Sequence, residues 1–88
     1  MPQLTAQFEN YLKALWSDEE WGRVATNGSL AQALGLAPST VTESVRKLVD
    51  AGLLEHQPYG RMTLTDEGRR IAAGVVRKHR LVETFLVE

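Results

Sequence analysis

Two short apolar stripes at helical spacing, parted only by a tight GLA linker and a proline, constrain this chain more than any other feature. In SLAQALGLAPSTVTESVRKLVDAGLL, Leu30, Ala31 and Leu34 form the buried side of one helix, and Val41, Val45 and Leu48 recur at i, i+4 and i+7 on the next. Pro38 suits the first helical position, where its fixed φ matches the helix and its missing N–H would have no intrahelical partner anyway. Asn27, Gly28 and Ser29 introduce the earlier helix, with Ser29 and Gln32 in capping-box relation. Gly52 supplies a left-handed stop to the later one. Small Ala31 lets the two helices approach while Leu36 plugs the connection, which is the spacing of a helix-turn-helix.

The face opposite the Val41 stripe carries Ser39, Thr42, Glu43 and Arg46, short or hydrogen-bonding groups near the helix start. A helix laid in a DNA major groove meets base edges with such groups. A solvated amphipathic helix shows the same alternation, so the flanking segments must decide. Behind Gly52, residues 53–56 and 62–64 read as two strands, with QPYG placing Pro58 and Gly60 at the second and fourth positions of a type I turn. A hairpin directly after a recognition helix is a wing, and Tyr59 and Arg61 near its tip are placed to touch the sugar-phosphate backbone or minor groove.

The flanks are helical. Leu4, Phe8, Tyr11, Leu12, Leu15 and Trp16 predict a first helix from Thr5, as N-cap, to Ser17, ended by the acidic SDEEWG with Trp21 as a lid on the core edge. Thr65 predicts the N-cap of a last helix, with Asp66 and Glu67 at the positive end of its dipole and Ile71, Val75, Val82, Phe85 and Leu86 on its apolar face. The fold expected is mainly α with a small β-hairpin: a winged helix-turn-helix domain over residues 1–66, then a long C-terminal helix over 67–88 that begins a dimerisation region. The apolar VETFLVE end leads us to expect either a partner chain or further residues beyond Glu88.

Composition narrows the function. Eighty-eight residues with 43% hydrophobic side chains suffice for one small core. The chain has no cysteine, which excludes disulfides, thiolate metal sites and cysteine nucleophiles and suits a cytoplasmic setting. No apolar run approaches a membrane span, and the N-terminus lacks the regions of a signal peptide, so no membrane association is expected. Paired catalytic carboxylates, a Ser/His/Asp grouping and a glycine-rich phosphate loop are all missing, so an enzyme is not expected. The net charge of −1 is low for a nucleic-acid binder, but eight of the ten basic residues fall after Pro38. Arg46, Lys47, Arg61, Arg69, Arg70, Arg77, Lys78 and Arg80 could form a local positive face, which the sequence alone does not show.

His79 and Glu83, four apart on the last helix, leave one face about a turn from each other. Imidazole and carboxylate suit divalent transition metals, but two donors are not a site. Spacing alone favours a solvent-facing or satisfied histidine.

With these elements in hand, ENYLKALW, the helix-turn-helix, LTDEGRRIA after the wing, and RKHRLVETFLVE resemble the diphtheria toxin repressor family of metal-dependent transcriptional regulators, closest to its manganese-responsive branch. The resemblance spans nearly the whole chain. It implies a homodimeric repressor that reads a palindromic operator in double-stranded DNA once Mn2+ or Fe2+ is bound. It further implies metal-ligand roles for Asn10 in the first helix and His79 in the last, with Glu83 at an ancillary site. Pro38, Ser39, Thr40, Thr42, Glu43, Arg46 and Lys47 would meet DNA from the recognition helix, joined by Tyr59 and Arg61 of the wing. Asn10 departs from the pattern, because the manganese branch usually has Asp there and the iron branch Met. The remaining ligands lie beyond this length in family members, so this chain alone is expected to bind metal poorly. The competing expectations are a winged-helix protein-interaction module and a metal-independent winged-helix regulator.

Overall fold

The computed structural model describes the backbone of residues 6–87 and the side chains of residues 6–78. Leu4 and Thr5, expected to open the first helix, lie outside the described residues. Helix α1 runs Ala6–Glu20, α2 Asn27–Leu34, α3 Pro38–Asp50 and α4 Asp66–Val87, with strands β1 Leu54–His56 and β2 Met62–Leu64 between the last two helices. The architecture is the expected winged helix-turn-helix followed by a long helix.

Helix α1 buries Tyr11, Leu12 and Leu15 against Leu30 and Ala31 of α2, Val41, Val45 and Leu48 of α3, and Leu54, Met62 and Leu64 of the hairpin. Ala72 and Val75 of α4 are buried too, with Ile71 half-buried beside the core. One core therefore joins all four helices and the wing. Tyr11 is fully buried, yet its hydroxyl has no hydrogen-bond partner among the described residues. An orphaned buried polar group costs about 1–3 kcal/mol. Tyr11→Phe is therefore expected to raise stability by about 1 kcal/mol in urea denaturation; a loss would show that a water or a further residue satisfies the hydroxyl.

The ends of the elements differ from expectation in several places. First, α1 continues through the acidic segment to Glu20. Carboxylates at a helix C-terminus oppose the dipole, but here Asp18 accepts from Arg23 Nε at 3.2 Å and Glu19 is held by tertiary partners, so the last turn survives. Trp21 then sits beyond the helix end, 72% exposed and not a lid. Gly22, at φ 69°, turns the chain away. Second, the capping box of α2 is formed by Thr26 and Ser29. The Ser29 N–H donates to Thr26 Oγ1 at 3.1 Å and the Thr26 N–H to Ser29 Oγ at 2.8 Å. Gln32 takes no part in it. Third, the wing tip is not a type I turn. Tyr59 and Gly60 have successive positive φ values of 65° and 73°, as in the type I′ turns whose twist matches a hairpin. Arg61 N–H closes the turn on Pro58 O at 3.5 Å.

The wing pairs Leu54 with Leu64, Glu55 with Thr63 and His56 with Met62, all antiparallel. Leu53, expected to begin β1, instead belongs to the turn leaving α3: its N–H donates to Leu48 O at 3.0 Å and its carbonyl accepts from Thr65 N–H at 3.1 Å. Ala25 adds a bridge to Met62, anchoring the wing to the loop before α2. Thr65 caps α4 as predicted, accepting from Gly68 N–H at 3.0 Å while its own hydroxyl donates to Gly52 O at 2.6 Å. The start of α4 is thus stitched to the end of α3.

Candidate nucleic-acid interface and metal-ligand positions

Helix α3 presents the face that its sequence pattern predicts. Val41, Val45 and Leu48 are buried, with the small Ser44 beside them, while Pro38, Ser39, Thr40, Thr42, Glu43, Arg46 and Lys47 are exposed. Pro38 occupies the first turn, as expected, and the N-cap Ala37 makes no side-chain cap. The first-turn N–H groups near Ser39 and Thr40 therefore lack a capping side chain, and such groups favour an anionic partner such as phosphate.

The outward groups are not equally available. Glu43 and Arg46 approach only to 4.0 Å and remain largely solvated. Lys47 has no salt bridge among the described residues. Thr42 is different: its hydroxyl donates to Pro38 O at 3.0 Å and accepts from Asn27 Nδ2 at 2.6 Å. Asn27 starts α2, so this bond ties the two helices of the motif together. Sequence reading gives Asn27 only a place at a helix start, because its partner is 15 residues away. Tyr59 at the wing tip is 92% exposed, and Arg61 is exposed with no salt bridge among the described residues. Both could meet a surface laid against the wing.

Part of the possible positive face is taken up by ion pairs. Arg69 bonds Glu19 at 2.8 Å and Asp66 at 3.1 Å, Arg70 bonds Glu67 at 2.6 Å, and Lys78 bonds Glu9 at 3.0 Å. These cations are neutralised by carboxylates on α1 and α4 and do not join Lys47 and Arg61 as one free patch. The side chain of Arg80 lies outside the described residues. Glu19 forms a three-element junction, accepting also from the Leu64 N–H of β2 at 2.9 Å. The Glu19 hydrogen bond, then its charge, raise the Arg69 pKa above arginine's ordinary value. That sign adds stability below the ordinary pKa and loses it only as pH rises through the folded-state value, far above neutrality. The junction therefore keeps its cation at every physiological pH.

Asn10 is exposed on α1. Lys78 Nζ of α4 donates to both Glu9 oxygens at 3.0 Å, so the α1 turn carrying Asn10 packs beside the α4 turn that leads into His79. The side chains of His79 and Glu83 fall outside the described residues. Among the described residues, no group of three or more His, Cys, Asp or Glu could hold a metal ion. What fits is partial: an accessible amide oxygen at Asn10, a donor suited to hard cations, on a helix packed against the one that carries the histidine.

Comparison with known proteins gives concordant matches. The family model described as "Iron dependent repressor, N-terminal DNA binding domain" matches residues 3–62, and "Iron dependent repressor, metal binding and dimerisation domain" matches residues 65–88. The diphtheria toxin repressor of Corynebacterium glutamicum is 34% identical over 88 residues, covering 100% of this chain and 39% of the relative. The regulator MntR of Lysinibacillus sphaericus is 32% identical, covering 93% of this chain and 59% of the relative. The chain thus spans less than two thirds of either. Among solved structures, the IdeR of T. acidophilum superposes with a TM-score of 0.79 at 26% identity over 91% of this chain and 37% of that one. Lactococcus lactis ZitR in complex with DNA gives 0.77 at 22% identity, over 97% of this chain and 60% of that one, a likeness of fold alone.

Proposed function

The chain belongs to the iron-dependent (diphtheria toxin) repressor family, and from that premise we propose that it is the DNA-reading part of a metal-responsive transcriptional repressor, a regulator and not an enzyme. The observation that carries this reading is α3, whose apolar stripe is sealed in the core while Ser39, Thr40, Glu43, Arg46 and Lys47 all stand exposed. Residues 1–66 would form the reading domain and 67–88 the helix that begins dimerisation. In a homodimer, two such helices would enter successive major grooves of a palindromic operator about 34 Å apart. No described helix is long and apolar enough to cross a membrane.

Within α3, Thr40 and Lys47 would hold phosphates, whereas Ser39, Thr42 and Glu43 face bases, Glu43 accepting from a cytosine amino group. Tyr59 and Arg61 add wing contacts. Glu43→Ala is expected to change which operator is preferred, and Lys47→Ala to weaken every sequence alike while lowering the salt slope by about one. Equal losses for both variants across an operator panel would refute the division.

Asn10 and His79 would hold Mn2+ or Fe2+, with Glu83 at an ancillary position and further ligands from outside this chain. When bound, the ion would supply a positive charge held by donors from α1 and α4. The chain's own residues link these helices to α3: Glu9–Lys78 clamps α1 to α4, Glu19 joins α1 to β2 and α4, and Thr65 joins α4 to the end of α3. Gel retardation on a palindromic promoter fragment with and without Mn2+ tests the reading. The alternative, a protein-interaction module, draws on exposed Val24 and Tyr59 lining a cleft of about 470 Å³ beside the wing. DNA binding should weaken steeply with salt; a salt-insensitive association without retardation would favour the alternative.

A further inference from the structure

The exposed Thr42 carries a hydroxyl whose proton is already committed. A hydroxyl has one donor and two acceptor lone pairs; here the donor goes to Pro38 O at 3.0 Å and one lone pair to Asn27 Nδ2 at 2.6 Å. Turning Oγ1 toward DNA would require another staggered rotamer and would break both bonds. Acceptor atoms on guanine, adenine and thymine therefore receive nothing from it. The groups left to present are one lone pair, which only a base amino group could use, and the Cγ2 methyl, whose match in the major groove is the C5 methyl of thymine.

We propose that Thr42 specifies thymine through methyl–methyl contact, and that Asn27 is the positioning residue that locks the side chain in that orientation. This rests on the DNA-binding reading above. It deepens that reading by turning Thr42 from a hydrogen-bonding group into an apolar one, and by giving the first turn of α2 a part in specificity.

The test uses the native full-length protein with Mn2+ and the duplex that it selects from a randomised library. Each dT of that duplex is then replaced by dU, which removes only the C5 methyl. For the wild type, one symmetry-related position should lose about fourfold in affinity per half-site, the worth of burying about one methyl group. Thr42→Val keeps an outward methyl and should retain both affinity, within about twofold, and the dU penalty. Thr42→Ser keeps the hydroxyl and should abolish the penalty. Asn27→Ala should shrink the penalty by freeing the rotamer, a readout that a purely structural loss would leave unchanged. If Thr42→Ser matches the wild type at every dU position while Thr42→Val loses binding, the hydroxyl is the reader and the proposal is overturned. If the selected duplex binds with no Thr42-dependent dU effect, the proposal alone falls. If no duplex is selected, the DNA-binding reading falls with it.

Discussion

Gly68→Ala is expected to destabilise the domain by about 3 kcal/mol, at the upper end of what overpacking a core costs. A Cβ at Gly68 would collide with the Leu53 carbonyl oxygen and stand 2.9 Å from its carbon, both backbone atoms that cannot rotate aside. The approach is fixed from both sides. The Thr65 N–H holds the same Leu53 oxygen at 3.1 Å, and the Thr65 hydroxyl bonds Gly52 O while capping α4. Room for a methyl group would have to come from prying α4 off the turn that follows α3. For a domain stabilised by only about 5–15 kcal/mol, that is a large fraction. Gly74 is the control, since it lies in the same helix and a Cβ added there would meet nothing within 4 Å. Gly74→Ala should therefore gain about 0.5–1 kcal/mol from helix propensity. Urea denaturation of both variants decides the matter; similar free energies for the two would sink the argument.

The features legible in the sequence are those whose causes are local. The Val41, Val45, Leu48 stripe, Pro38 at the start of α3, and the Thr65 cap each depend on residues within one or two helical turns, so spacing alone identifies them. The α1 terminus does not yield to that reasoning. Glu19 is held by Leu64 and Arg69, 45 and 50 residues on, and no local rule announces such partners. Trp21 departs from expectation because a large apolar side chain is only on average buried. Its position follows from where α1 ends, which the same distant contacts set. At the wing tip, proline and glycine mark a turn but do not fix its type, and the left-handed residue before Gly60 is Tyr59. The exposed face of α3 shows the limit most sharply. Sequence places a hydroxyl at Thr42, but only the fold reveals that Asn27 and Pro38 occupy it.

The other large effect concerns the metal. If Asn10 and His79 are ligands, His79→Ala should remove the gain in operator affinity that Mn2+ confers, a coupling expected to lie within about 5–150-fold. Metal-free binding should stay as it was, because the groups on α3 are untouched. Asn10→Asp should act in the opposite direction. A carboxylate brings the charge that the amide lacks and is the harder donor, so Mn2+ should bind about tenfold more tightly, in the range expected for a changed ligand environment. The adjacent Glu9 is already paired with Lys78, which limits repulsion between neighbouring carboxylates on α1. Calorimetric titration with Mn2+ separates these effects from changes at the DNA surface, and retardation with and without a chelator reads the coupling. An undiminished Mn2+ response in His79→Ala would remove α4 from the metal site. The constraint linking the ion to α3 would then have to enter through α1 alone, by way of Glu19 and the wing.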